Sequence, residues 1–338
     1  MKRAAWSVLI LCCLLPACAR GNAQGVGDDV GSMPIASLPG PQATVPPAPS
    51  NDVATSTPST APVAALIDPE TMAGRRVGPF AEEEFVKCTA ASASKAVGDP
   101  VALADYPNRP TLLQAAADPA APLLVIFHGQ HGCIENVQSR TDLETIGAAA
   151  GVSVLWLSGE PLPKRSWNVN GRCCEPASTN HTDDFAYTAA AIAAARTAGL
   201  SPRSVLSVGV SNGGGMALAS GCKLPELFTA VISVAGWAPL PCQRHEMSLL
   251  TFGGTEDVTL GAKTATKIET MWRKDVVDCP AEPTIETFEV RTSSTWRGCT
   301  GGTTVRLVTL EGIPHTWPKF SFYDMDVDII RFARGEYD

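Results

Sequence analysis

Residues Gly209-Val210-Ser211-Asn212-Gly213 form the pattern Gly-x-Ser-x-Gly. A serine hydroxyl is a weak nucleophile until a neighbouring base takes its proton, and it must be held where a substrate can reach it. Here the apolar run Val205 to Val210 leads straight into the serine, and the small-residue stretch Gly213-Gly214-Gly215-Met216-Ala217 reads as a helix start. A strand, a tight turn and a helix in that order raise a serine above the end of a sheet, and the flanking glycines let backbones approach where a Cβ would not fit. Free N–H groups at the helix start then face developing negative charge. The five-residue pattern alone is weak, with roughly 0.2 chance matches expected in a chain of this composition. The strand before it and the helix after it separate it from a plain glycine-rich turn.

A serine needs a base, and the chain supplies His128, His131, His181, His245 and His315. When a serine sits on such a turn, the chain order is serine, acid, histidine, with the last two in loops after later strands. His315 meets this requirement, because it follows the apolar run Val305 to Leu310 in the loop Glu311-Gly312-Ile313-Pro314-His315-Thr316-Trp317-Pro318. Asp257 meets it for the acid, after the run Leu249 to Gly253 through Gly254-Thr255-Glu256. Glu256 and Asp275 are weaker substitutes, and a turn-forming Asp is the alternative for Asp257. The chemistry would be acyl transfer: Ser211 attacks a carbonyl, His315 carries the proton, and Asp257 orients the imidazole.

The oxyanion formed in that attack needs backbone donors. The loop Phe127-His128-Gly129-Gln130-His131-Gly132-Cys133 follows another apolar run, so the N–H groups near Gln130 and of Asn212 are the expected pair. Trp167 and Trp317 are candidates for an apolar pocket wall, with His128 beside them; for the tryptophans an ordinary core position is the alternative. His128 and His131 lack a third neighbour at ligand spacing, so no metal is expected there. His181-Thr182-Asp183-Asp184 mimics a metal cluster but reads as a helix cap with an acidic first turn. His245 receives no role.

The elements that must position these residues alternate. Strand-like runs rich in Val, Leu and Ile are Pro122 to His128, Val152 to Ser158, Val205 to Val210, Ala230 to Ala235, Leu249 to Gly253 and Val305 to Leu310. Continuous apolar character suits a parallel sheet covered on both faces. Helical stretches are Thr141 to Ala150, Asp183 to Ala198, Gly213 to Cys222, Lys263 to Lys274 and Asp324 to Ala333. The pattern predicts an α/β fold, a doubly wound, mostly parallel sheet with helices on both faces.

The chain has 338 residues, of which 45% are hydrophobic and 18% charged, enough for a large core. Its 26 basic and 34 acidic residues give a net charge of −8 and no basic footprint for nucleic acid. Lys2 and Arg3 precede an apolar run from Ala4 to Leu15, which predicts a signal peptide over residues 1–18. Leu15-Pro16-Ala17-Cys18 resembles a lipobox, making Cys18 a lipidation candidate and a membrane anchor point; ordinary cleavage after Ala19 or Ala23 is the alternative. Residues 19–67, rich in Pro, Ala, Ser and Thr, read as a disordered tether, and 68–338 as the catalytic domain. An exported protein, in the cell envelope or outside the cell, is expected to form disulfides. The candidates are Cys88, Cys133, Cys173, Cys174, Cys222, Cys242, Cys279 and Cys299. A bridge between the adjacent Cys173 and Cys174 would be strained, so each is expected to find a distant partner.

From about Leu123 to Trp317 the chain resembles the polyhydroxybutyrate depolymerase-like esterases, a group that includes feruloyl and acetylxylan esterases and exported lipoproteins. The resemblance rests on His128-Gly129, Ser166-Trp167-Asn168 with Cys173-Cys174, and Asp183-Asp184-Phe185. It continues through Gly209-Val210-Ser211-Asn212-Gly213-Gly214, Val234-Ala235-Gly236, Gly254-Thr255-Glu256-Asp257 and His315-Thr316-Trp317-Pro318. It implies an α/β-hydrolase without metal or cofactor, with Ser211 as nucleophile, Asp257 as acid and His315 as base. The family often has His-Gly-Thr where this chain has Gly253-Gly254-Thr255, and its glycine-rich approach to the histidine is here Gly312-Ile313-Pro314. Substrates would be small or oligomeric esters, short-chain, hydroxyalkanoate, aryl or acetyl. No separate polymer-binding domain is visible. An inactive exported binding protein, or a serine peptidase using the same three residues, are the competing readings.

Overall fold

The computed structural model describes residues 88, 96–160, 164–171, 173–237, 241–320 and 323–336. The expected leader, Cys18 and the expected tether of residues 19–67 lie outside them. Among the described residues, ten strands form one sheet in the order β1-β2-β4-β3-β5-β6-β7-β10-β9-β8. These are β1 (Asp99–Pro100), β2 (Leu112–Gln114), β3 (Leu123–Phe127), β4 (Ser153–Leu157), β5 (Val205–Val210), β6 (Ala230–Val234), β7 (Ser248–Gly254), β8 (Thr284–Phe288), β9 (Arg291–Trp296) and β10 (Val305–Leu310). The six from β4 to β10 across the middle are parallel, and both edges are antiparallel.

The continuous apolar runs are strands because both of their faces are covered. Leu123, Val125 and Phe127 enter one core, while Leu124 and Ile126 enter the other. Helices α3 (Asp184–Thr197), α4 (Asn212–Lys223) and α5 (Ala262–Met271) pack on the first side through Tyr187, Met216 and Ile268. Helices α1 (Ile134–Gln138), α2 (Leu143–Ala150) and α6 (Met325–Arg334) pack on the second through Val137, Leu143 and Ile329. The expected mostly parallel sheet with helices on both faces is what the chain forms.

Local chemistry sets the helix ends. The Asp183 carboxylate accepts the Ala186 N–H at the start of α3, and the Asp324 carboxylate accepts that of Asp326 at the start of α6. Helix α5 passes into a π-helical turn, Trp272–Val276, past the predicted end at Lys274. A small second sheet pairs β11 (Lys319–Phe320) with β12 (Tyr323–Asp324).

Register brings the carboxyl ends level. Phe127 pairs with both Leu157 and Gly209, Val210 with Val234, and Leu310 with Gly254. The loops after β3, β5, β7 and β10 therefore leave one edge of the sheet. The strand order reverses around β3, the place in an open α/β sheet where ligands bind.

All eight expected cysteines are paired, as Cys88–Cys133, Cys222–Cys242, Cys279–Cys299 and Cys173–Cys174. The last corrects the expectation of distant partners: with the other six matched, Cys173 and Cys174 have only each other. Without reductant, denatured protein spanning these cysteines should take up no alkylating agent at any of the eight. Peptide mapping should find the 173–174 pair within a single peptide; a cross-link from either to another cysteine would contradict the pairing.

Candidate active site

Strand β5 ends at Val210, and Ser211 follows with φ 56° and ψ −119°, a left-handed conformation that costs a non-glycine residue free energy. Its neighbours hold it there. The Ser211 N–H donates to the Val234 carbonyl at 2.9 Å, and its own carbonyl accepts the Gly215 N–H at 3.0 Å. A Cβ at Gly209 would run into the Gly213 carbonyl, and one at Gly213 into the carbonyls of Phe127 and His128. Both glycines of the Gly-x-Ser-x-Gly pattern are thus required by close approach of backbone to backbone.

Ser211 and Asp257 lie 104 and 58 residues before His315 in sequence, yet the three lie in one line of hydrogen bonds. His315 Nε2 is 2.9 Å from Ser211 Oγ, and His315 Nδ1 is 2.8 Å from Asp257 Oδ2. The other Asp257 oxygen, Oδ1, accepts the N–H groups of Thr259 and Leu260, each at 2.9 Å. Burial opposes ionisation of this carboxyl. The hydrogen bonds from Leu260, His315 and Thr259 outweigh that and hold it below the usual carboxylate range. An ionised Asp257 accepting from Nδ1–H leaves Nε2 as the lone-pair nitrogen that faces the serine.

The Asn212 side chain forms a reciprocal pair with the Trp167 backbone: Oδ1 accepts its N–H at 2.8 Å and Nδ2 donates to its carbonyl at 3.1 Å. This joins the first residue of α4 to the segment that carries Trp167. The Gln130 side-chain amide donates to the Glu175 carbonyl at 3.4 Å. Among the described residues, neither the Gln130 nor the Asn212 backbone N–H has an acceptor.

His128, Trp167 and Trp317, expected as a pocket wall, are buried instead, the core position that was the alternative for the two tryptophans. They are 1%, 0% and 2% exposed. Trp167 donates its indole N–H to the His128 carbonyl at 2.8 Å, and Trp317 donates its own to Asp326 Oδ1 at 2.8 Å. Large aromatic area drove them into the core, and each polar edge found a buried acceptor.

His128 is a structural imidazole. Its Nε2 accepts the Gly159 N–H at 2.9 Å, so its proton is on Nδ1, 2.7 Å from the Gly129 carbonyl. Burial pushes its pKa down to about 3, helped by Arg165 and Arg109 and opposed by the Gly129 hydrogen bond. A histidine kept neutral in the fold but free to protonate when unfolded contributes stability that falls as pH drops below about 6.5. The slope is about 1.4 kcal/mol per pH unit at most. Urea unfolding at pH 7 and pH 5 should show a smaller acid loss in His128→Gln than in the natural chain; equal losses would contradict the assignment.

The sequence reading missed Arg109 altogether. Its Nη2 is 2.6 Å from Asp184 Oδ1, its Nε donates to the Ser158 carbonyl at 2.9 Å, and its guanidinium lies 3.5 Å from the Tyr187 ring centre. Asp184 Oδ2 accepts the Asn168 N–H at 2.6 Å. This buried network fixes the segment that Asn212 grips. No local pattern pointed to it: Asp184 reads as part of an acidic first turn, and its burial, which demands a cation, is visible only in the structure. Beside it a cavity of about 410 Å³ is lined by Tyr106, Asn108, Glu160, Asn180 and Asp183, with none of the line Ser211–His315–Asp257 in its wall. Among the described residues no three His, Cys, Asp or Glu side chains gather as a metal site, and the His181 segment is the start of a helix.

No family model matches the chain. Over 121 residues it is 31% identical to a protein of Nocardia uniformis subsp. tsuyamanensis named provisionally as the esterase NocK, covering 36% of this chain and 34% of that one. It is 27% identical over 227 residues to feruloyl esterase B of Piromyces equi, covering 59% of this chain and 40% of that one. The chain thus spans about a third to two-fifths of the length of these curated relatives. Among solved structures, an acetyl xylan esterase from Aspergillus awamori superposes with a TM-score of 0.51 at 15% identity, over 68% of this chain and 95% of that one. That likeness is one of fold: the chain is an α/β-hydrolase in architecture.

Proposed function

We propose that the protein is an exported serine carboxylic-ester hydrolase acting on short-chain, hydroxyalkanoate, aryl or acetyl esters. The observation that carries this is the line Ser211–His315–Asp257, with both histidine nitrogens within 2.9 Å of their partners. The esterase names of the two distant relatives support the choice of ester over amide.

In the first half-reaction Ser211 Oγ attacks the ester carbonyl carbon while His315 Nε2 takes its proton. The carbonyl oxygen becomes an oxyanion, which receives the N–H groups of Gln130 and Asn212. Asp257 stabilises the imidazolium without itself being protonated. The imidazolium gives its proton to the departing alcohol as the carbon–oxygen bond breaks, leaving an acyl-serine. Water, deprotonated by the same nitrogen, then attacks the acyl carbon; the bond to Ser211 Oγ breaks, the imidazolium returns its proton to Oγ, and the acid leaves. With Trp167 and Trp317 in the core, the acyl group is assigned to Trp237, half-buried over Gly215 one turn from the nucleophile.

A panel from p-nitrophenyl acetate and butyrate through methyl ferulate and acetylated xylan to 3-hydroxybutyrate oligomers tests the reading. Hydrolysis of at least one, absent in Ser211→Ala, is expected, and Trp237→Ala should change the ranking of acyl groups. Hydrolysis of peptides but of no ester would favour the peptidase reading, and no reaction with either the binding-protein reading. Export and anchoring form part of the proposal, supported by the four disulfides. Cys18→Ser should abolish lipidation and membrane association; unchanged fractionation would remove the anchor.

A further inference from the structure

His315 lies in a loop fastened at both ends. Upstream, the Gly312 N–H donates to Thr255 Oγ1 at 2.9 Å, and the Ile313 carbonyl accepts the Glu256 N–H at 3.1 Å. That end is tied to the segment that carries Asp257. Downstream, the Trp317 indole N–H donates to Asp326 Oδ1 at 2.8 Å. The second oxygen, Asp326 Oδ2, accepts the Asp142 backbone N–H at 2.7 Å, at the residue before α2. Lys319 pairs with the Asp142 side chain, so the chain just after Trp317 is drawn to the same place.

Asp326 is completely buried. Placing a carboxyl there costs free energy that its hydrogen bonds must offset. Starting the helix does not require it, because Asp324 already caps α6. Filling space does not require it either, since an apolar side chain would pack in the same core. What the carboxyl adds, besides an acceptor for the Asp142 N–H, is a directional hold on the indole. An acceptor at 2.8 Å adds to the packing a fixed direction for the Trp317 ring edge. The backbone two residues away, which bears His315, is set with it.

We propose that Asp326, acting through Trp317, is a positioning residue for His315, holding its Nε2 in line with Ser211 Oγ. The proposal rests on the reading of His315 as the general base. It assigns to the first turn of α6, on the sheet face opposite α4, a part in the proton transfer. Trp317 and Asp326 touch no reacting atom, and their effect is the accuracy with which the base is presented. A misplacement of about 1 Å in a reacting group lowers the rate of the chemical step by about 100-fold.

The test uses the full chain with p-nitrophenyl acetate as substrate. Trp317→Phe removes the indole N–H and keeps an aromatic ring; Asp326→Asn keeps one acceptor oxygen and sets an amide N–H₂ against the Asp142 N–H. Each is made alone and combined with His315→Ala, with kcat, KM and Tm measured. Trp317→Phe is expected to lower kcat about 10- to 100-fold with KM within about twofold. In the His315→Ala background the same change should have no further effect on kcat, because a positioning residue has nothing left to position. Unchanged kcat in Trp317→Phe would overturn the proposal. So would an equal fall with and without His315, which marks a general loss of structure. Should Asp326→Asn fail to fold, Trp317→Phe still decides. Full activity in His315→Ala alone would overturn the base assignment and this proposal with it, whereas an inactive His315→Ala beside a fully active Trp317→Phe defeats only the positioning role.

Discussion

Alanine at Ser211 is expected to lower kcat on p-nitrophenyl butyrate by about 10⁵- to 10⁶-fold, the scale found when the nucleophile of such a three-residue arrangement is removed. His315→Ala should fall in the same range, and Asp257→Asn by about 10⁴-fold, because an amide would stabilise the wrong imidazole tautomer. The losses should not add: the triple variant should be little worse than Ser211→Ala, since without its nucleophile the rest of the line has nothing to activate. The measurement is steady-state kinetics beside the intact mass after a fluorophosphonate probe. One adduct is expected on the natural chain and none on Ser211→Ala. Side-chain removal at Ser211 should leave the fold intact, because its Oγ bonds only to His315 among the described groups, and its positive φ of 56° is held by the backbone around it. An alanine variant that keeps both its circular dichroism and its activity would end the serine hydrolase reading.

Arg109→Ala should be the most destabilising of the single changes considered. It leaves the Asp184 carboxylate, at 0% exposure, without its counter-charge, and the Ser158 carbonyl without its donor. Breaking one side of a buried ion pair costs about 3–5 kcal/mol. For a domain of this size that is a fall in Tm of about 10 °C. The double change Arg109→Met with Asp184→Leu should recover a large part of the loss, because two apolar side chains need no partners. Thermal and urea unfolding of the three variants measure this; a single variant within about 1 kcal/mol of the natural chain would show that the pair is dispensable. Activity should fall as well, since Asp184 holds Asn168, the neighbour of the residue that grips Asn212.

The middle of the sheet was readable from sequence because its strands are uniformly apolar. Strands β5 and β10 begin and end at the expected residues, and β3, β4, β6 and β7 differ by a residue at either end. Both edges were unreadable for the converse reason. Strand β8 is exposed along its whole length, and β9 reads Arg-Thr-Ser-Ser-Thr-Trp, with no apolar period to separate it from a loop. Helix α1, at five residues, is shorter than any periodicity can reveal. Ser211, Asp257 and His315, singled out by chain order and by what precedes each, lie in one hydrogen-bonded line. The tryptophans stayed open between pocket wall and core because nearness in sequence to a reactive residue says little about exposure. A large ring two residues from the histidine can be a wall or an anchor, and only the depth of the core decides. Arg109 lay beyond reach because its partner is 75 residues away, with no local pattern joining them.

The three aligned side chains also carry a consequence in time. Ser211 and His315 are 104 residues apart. A chain made at about 5–20 residues per second completes its nucleophile roughly 5–20 s before its base exists. Strand β10, which delivers His315, pairs with β7 on one side and β9 on the other, so it cannot dock until nearly the whole sheet is present. On the proposed function, a nascent chain, or one clipped before residue 315, would hold Ser211 with no proton acceptor and be chemically silent. On that function, ester turnover would therefore double as a readout of completed synthesis. Only molecules that have been finished and closed at the far edge of the sheet contribute to it.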